Sequence, residues 1–109
     1  AKNVPFRRLH TSHAFHSKMM DPILDEFEDV IKSVKLNTPQ LPYLSNTSGS
    51  WISVEQATDS SYYTKHLRNG VRFMDNIGEL LKEQENILLE VGPGTALATL
   101  ARRHPANTL

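Results

Sequence analysis

The sequence has no cysteine among its 109 residues. That excludes a disulfide frame, thiolate chemistry and a cysteine-held metal. It also fits a reducing compartment, so a cytoplasmic location is expected. Net charge is missing too: 12 Lys and Arg balance 12 Asp and Glu. No global field therefore recruits nucleic acid or an anionic membrane. The apolar runs are only a few residues long, far short of a membrane span. The opening Ala1-Lys2-Asn3-Val4-Pro5 lacks the apolar core of a signal peptide. No aromatic residues interleave the adjacent pairs Arg7-Arg8 and Arg102-Arg103, which argues against a nucleic-acid interface. Internal repeats and low-complexity segments are absent as well.

What is present bounds the chain to one domain at most. The 39% hydrophobic and 22% charged fractions are those of an ordinary soluble globular protein. Neither end falls on a recognisable boundary, so a piece of something larger is expected. A short strand is predicted over 6–11. A helix is predicted from 17 or 18 to about 34, because Met20, Ile23, Leu24, Phe27, Val30, Ile31 and Val34 recur at helical spacing. Pro22 is tolerable in its first turn, and Glu28 with Lys32 makes a well-oriented i,i+4 pair. Strands are predicted at 41–45 and, briefly, at 51–52. Ser53 or Thr58 is expected to cap a short helical stretch bearing Tyr62, Tyr63, His66 and Leu67. A helix is expected from 71 to about 83, where Gly78 suggests a close approach. The run Ile87-Leu88-Leu89-Glu90-Val91 reads as the clearest strand, buried and parallel. Thr95 starts a last helix, which Pro105 ends. The order is an α/β pattern with parallel pairing.

The chemistry centres on His13-Ala14-Phe15-His16-Ser17, at the expected strand-to-helix junction. Imidazole exchanges protons near neutral pH. His10, His13 and His16 recur at a spacing of three, but the trio straddles a junction and no acid interleaves it, so a metal site is not expected. His16 as a general base needs a nucleophile. Yet the Gly-x-Ser-x-Gly elbow is absent, and Ser45, Ser48 and Ser50 lack flanking glycines at that spacing. On residue physics alone, a buried structural histidine is the stronger reading. The glycine-rich Glu90-Val91-Gly92-Pro93-Gly94 matches neither dinucleotide nor P-loop fingerprints, and Pro93 removes a donor; it reads as a tight turn.

Four blocks nevertheless resemble one family in order along the chain. Ser12-His13-Ala14-Phe15-His16-Ser17 with Met20-Asp21-Pro22 is similar to the second half of the acyltransferase domain of modular type I polyketide synthases. So are Leu44-Ser45-Asn46-Thr47-Ser48-Gly49, the stretch from Lys65-His66-Leu67-Arg68 to Val71-Arg72-Phe73, and Leu89-Glu90-Val91-Gly92-Pro93-Gly94. The resemblance implies the C-terminal part of an α/β-hydrolase-like large subdomain with parallel strands over 13–109. Residues 1–12 would return from a ferredoxin-like small subdomain. It implies transfer of a malonyl unit from coenzyme A, through a serine ester, to the phosphopantetheine arm of an acyl carrier protein. His16 would be the general base. His13 and Phe15 would select the extender unit, the Phe15 ring filling the space a C2 methyl needs. His66 would orient His16 through its backbone carbonyl.

The family's Gly-His-Ser-x-Gly elbow, its oxyanion-hole glutamine and its carboxylate-binding arginine have no counterpart here, and Lys18 stands where many relatives have proline. The expected partners are therefore the upstream remainder of the domain, the carrier protein and an adjoining ketosynthase. No cofactor is expected on this chain, and the chain alone is expected to be inactive and to fold poorly. Two other readings are a discrete malonyl-CoA:carrier-protein transacylase of fatty acid synthesis, and an inactive structural or docking fragment.

Overall fold

The computed structural model describes residues 6, 8, 10–82 and 86–107. The amphipathic stretch after His16 begins as a tight 3-10 segment, Lys18–Ile23, with Ser17 as its N-cap. Pro22 lies inside this segment, where its missing donor costs no α-helical bond. Leu24–Lys32 then continues as helix α1. The Lys32 ammonium meets the Glu28 carboxylate at 3.0 Å.

Leu44–Ser45 (β1) and Ser50–Trp51 (β2) pair antiparallel across the turn 46–49. Gly49 closes that turn at φ 70°, and a Cβ there would lie 2.9 Å from the Asp75 Cβ. Both the backbone conformation and the close approach demand glycine. Ser53 caps α2 (Val54–Ala57) in a reciprocal capping box with Gln56. The cap of α3 (Ser60–Arg68) is Asp59, which accepts from the Ser61 N–H; Thr58 is only the residue at which α2 stops. Helix α4 spans Phe73–Leu80 and α5 spans Ala96–Arg102. At Gly78 a Cβ would stand 3.3 Å from the His104 ring, the close approach that keeps this helix position free of a side chain.

Several expectations need correction. The sheet among the described residues is one two-stranded antiparallel ribbon, so the parallel pairing is not formed within them. Residues 87–91 run without ladder partners, leaving Ile87 95%, Leu89 84% and Val91 89% exposed. A strand exists only through a neighbour's hydrogen bonds, and a parallel one needs apolar cover on both faces. Residues 10 and 11 are likewise outside any strand, while 7 and 9 of that expected strand, and 83 of the helix expected from 71, fall outside the described residues.

The buried core is small: Met20, Ala57, Tyr62, Ile77 and Ala101 are its apolar members among the described residues. The chain exposes 9149 Å², where a folded monomer of this length would expose roughly 6,100 Å². Its radius of gyration is 16.3 Å, against about 13 Å for a compact domain of this size. What order there is centres on α1 packed against α3, with the 3-10 segment across both. That junction carries the candidate site.

Candidate active site at the C-terminal end of α3

A helix leaves its last carbonyls without intrahelical partners. At the end of α3 the Lys65 carbonyl is taken by the Asn69 N–H at 2.8 Å, and His16 occupies two of the others together with the carbonyl of Asn69, the residue after the helix. The His16 backbone N–H donates to the Leu67 carbonyl at 3.2 Å. Its ring Nδ1 lies 2.9 Å from the His66 carbonyl and 3.0 Å from the Asn69 carbonyl. Carbonyl oxygens only accept, so Nδ1 carries the proton and Nε2 keeps its lone pair. The ring is thus held in one tautomer and one orientation.

The main chain of His16 adopts φ 59°, the left-handed region that histidine tolerates better than most residues. The loop around it is tied locally. The Ser17 hydroxyl donates to the Ala14 carbonyl at 2.5 Å and accepts from the Met19 N–H at 3.2 Å. The Arg68 guanidinium pairs with the Asp21 carboxylate of the 3-10 segment.

His66 is the second imidazole of the site, edge-on to His16 with ring centroids 5.6 Å apart. Its own Nδ1 lies 3.2 Å from the Thr47 hydroxyl. Thr47 belongs to the turn after β1, and its N–H donates to the Ser45 hydroxyl at 3.1 Å. Buried Ser45 in turn lies 2.6 Å from the Tyr62 hydroxyl. Beside this network is a cavity of about 270 Å³ lined by Tyr43, Ser45, Ile52, Tyr62, Tyr63 and His66. Burial pushes the Tyr43 phenol up, helped by its hydrogen bond to Tyr63.

The remaining sequence-predicted residues sit differently. His13 bonds locally, with Nδ1 2.9 Å from the Ser12 hydroxyl, and Phe15 is 57% exposed on the same loop. Among the described residues no three His, Asp or Glu side chains converge as metal ligands. The glycine-rich turn lies elsewhere, where the Glu90 carboxylate accepts from the Leu97 and Ala98 N–H groups at 3.1 and 2.9 Å and caps α5. Sequence reasoning missed the Asn69 carbonyl, the Arg68–Asp21 pair and the Asp59 cap. Of these, only Asp59 carried a local signal, an Asx residue directly before Ser60-Ser61 and a helical run.

No family model matches the chain. A phenolphthiocerol/phthiocerol polyketide synthase from Mycobacterium tuberculosis is 40% identical over 102 residues, which are 94% of this chain and 7% of that protein. The acyltransferase domain of SpnD, solved in complex with 2-(pent-4-yn-1-yl)malonyl, is 42% identical with a TM-score of 0.86, over 90% of this chain and 24% of that one. The chain belongs with the polyketide synthase acyltransferase domains. It matches their C-terminal part. The acyltransferase domain from the second module of the salinomycin polyketide synthase fits similarly, at 36% identity and a TM-score of 0.84 over 94% of this chain and 24% of that one. The chain therefore spans about a quarter of these acyltransferase domains and a few per cent of the synthase. The four sequence blocks lie within this shared mixed α/β fold, and three of them, bearing His16, Thr47 and His66, meet at the end of α3.

Proposed function

We propose that this chain supplies the general-base histidine of a polyketide synthase acyltransferase that moves a malonyl extender unit from coenzyme A to an acyl carrier protein. The observation that carries the reading is His16, whose Nδ1–H is held by the His66 and Asn69 carbonyls while Nε2 is left basic. In this mechanism Nε2 takes the proton of a serine hydroxyl from the upstream remainder of the domain as that oxygen attacks the thioester carbonyl. The C–S bond then breaks, and the coenzyme A sulfur leaves with the proton from His16. The second half runs in reverse order. The phosphopantetheine thiol gives its proton to Nε2, its sulfur attacks the serine ester, and the serine oxygen recovers the proton.

His66 acts through its backbone carbonyl, so its own side chain is free to bond Thr47. Phe15 and His13 lie on the loop that bears the base, and the Phe15 ring disfavours a C2 methyl by bulk. One methyl of misfit is worth about 1–3 kcal/mol, so the gate is partial. The serine, the carrier protein and an adjoining ketosynthase belong to the rest of the enzyme, and the isolated chain transfers nothing. The identity to synthase domains, 36–42% in the solved structures, favours this reading over a discrete transacylase.

The test is His16→Ala in the complete domain, followed by acyl-serine formation from malonyl-CoA. The expected loss is about 10²–10⁴-fold, typical of a positioned general base. Near-normal loading would remove His16 from the role.

A further inference from the structure

We propose that the Arg68–Asp21 ion pair is a positioning device for His16, clamping the loop that bears the imidazole against the end of α3. The inference rests on the reading of His16 as the base. Asp21 lies in the 3-10 segment capped by Ser17, the residue directly after His16. Arg68 lies between His66 and Asn69, whose carbonyls hold the His16 ring. The pair therefore bridges the same two elements as the imidazole hydrogen bonds.

The other side-chain hydrogen bonds of the loop, Thr11 and Ser12 to His13, Ala14 to Met19, and Ser17 to Ala14 and Met19, are local. They fix its internal shape but not its distance from α3. A left-handed residue such as His16 persists only where its surroundings over-determine it. Two hydrogen bonds from one ring and one from its main chain orient the base only while loop and helix stay together.

The side chains are 27% and 51% exposed, so the pair adds little to global stability. Its effect is on geometry, where a displacement near 1 Å can cost up to about a hundredfold in rate. The planar Arg68 fork, approaching through Nε, is not equivalent to a lysine.

The experiment uses the complete acyltransferase domain that carries these residues. Arg68→Met and Asp21→Asn are each expected to lower kcat for acyl-serine formation about tenfold, leaving KM for malonyl-CoA within about twofold, in line with a misplaced base. The His16 Nδ1–H resonance should broaden or vanish in both variants while the thermal midpoint hardly moves. The double variant should be no slower than either single one, and the exchanged pair Asp21→Arg with Arg68→Asp should recover part of the rate. Wild-type kcat with an intact Nδ1–H resonance in both single variants would overturn the proposal. So would losses that simply multiply in the double variant. Should Arg68→Met not fold, Asp21→Asn with the same resonance decides alone. His16→Ala, run alongside, separates the two readings. Full activity there removes the base and the clamp together. Collapse there, with normal Arg68→Met and Asp21→Asn, removes only the clamp.

Discussion

The end of α3 and the run 87–91 carry equally clear sequence blocks, yet they behave in opposite ways. At α3, contacts between residues about 50 apart in sequence tie His16 to His66 and Asn69. At 87–91 the apolar side chains stand open, with Ile87 and Val91 almost fully exposed. The difference lies in where the partners are. An imidazole can be held by two carbonyls that one helix end already presents. A strand of this type needs neighbours on both edges and cover on both faces, and the described residues offer only one antiparallel ribbon elsewhere. Large exposed apolar surface of this kind marks a face waiting for a partner.

The largest effect that can sharpen this contrast is a charge at Leu89. In the complete domain, Leu89→Lys is expected to cost about 3 kcal/mol or more in chemical denaturation, as an unpaired charge in a covered strand. In residues 1–109 alone, the same change at an 84% exposed side chain should leave the circular dichroism and hydrogen exchange of α1 and α3 unchanged. Equal effects in both settings would break the contrast.

Within the ordered region, Gly49→Ala should cost the complete domain about 1–3 kcal/mol, from the left-handed backbone and the 2.9 Å approach to the Asp75 Cβ. A denaturation midpoint equal to wild type would mean that the turn after β1 can relax. Tyr62→Phe is a smaller change. It removes the hydroxyl 2.6 Å from buried Ser45 and should cost about 1 kcal/mol, measured the same way.

The smallest expected effect is on pH dependence. The Ser61 hydroxyl and N–H beside Asp59 hold its carboxyl below the usual carboxylate range. Glu55 is held down by its own backbone N–H and by the Ser53 hydroxyl. A depressed folded pKa means stability that is present above the unfolded value and lost as pH falls through the folded one. A carboxyl titration by NMR should therefore find the Asp59 midpoint below 3.8. Asp59→Asn should flatten the acid limb of the stability profile slightly. A midpoint at or above 3.8 would remove the cap from the account of α3.

Helices were legible where their cause is local. The apolar stripe of α1, the Glu28–Lys32 pair and the Ser53 cap all act within one or two turns. The start of the first helix as a 3-10 segment was not, because Pro22 permits either geometry at a helix entrance. The four blocks, taken together in order, were enough to point to the acyltransferase family from the residues alone.

The sequence by itself determined the helical stripes and the residue types the chemistry requires, because each follows from the chain's own period or side-chain chemistry. Only the tertiary structure decided which nitrogen of His16 keeps its lone pair, because that depends on the His66 and Asn69 carbonyls about 50 residues away. It also decided that Arg68 meets Asp21, and that 87–91 remains unpaired among the described residues. Periodicity can mark a segment as fit for a sheet, but a sheet is made by its neighbours' hydrogen bonds.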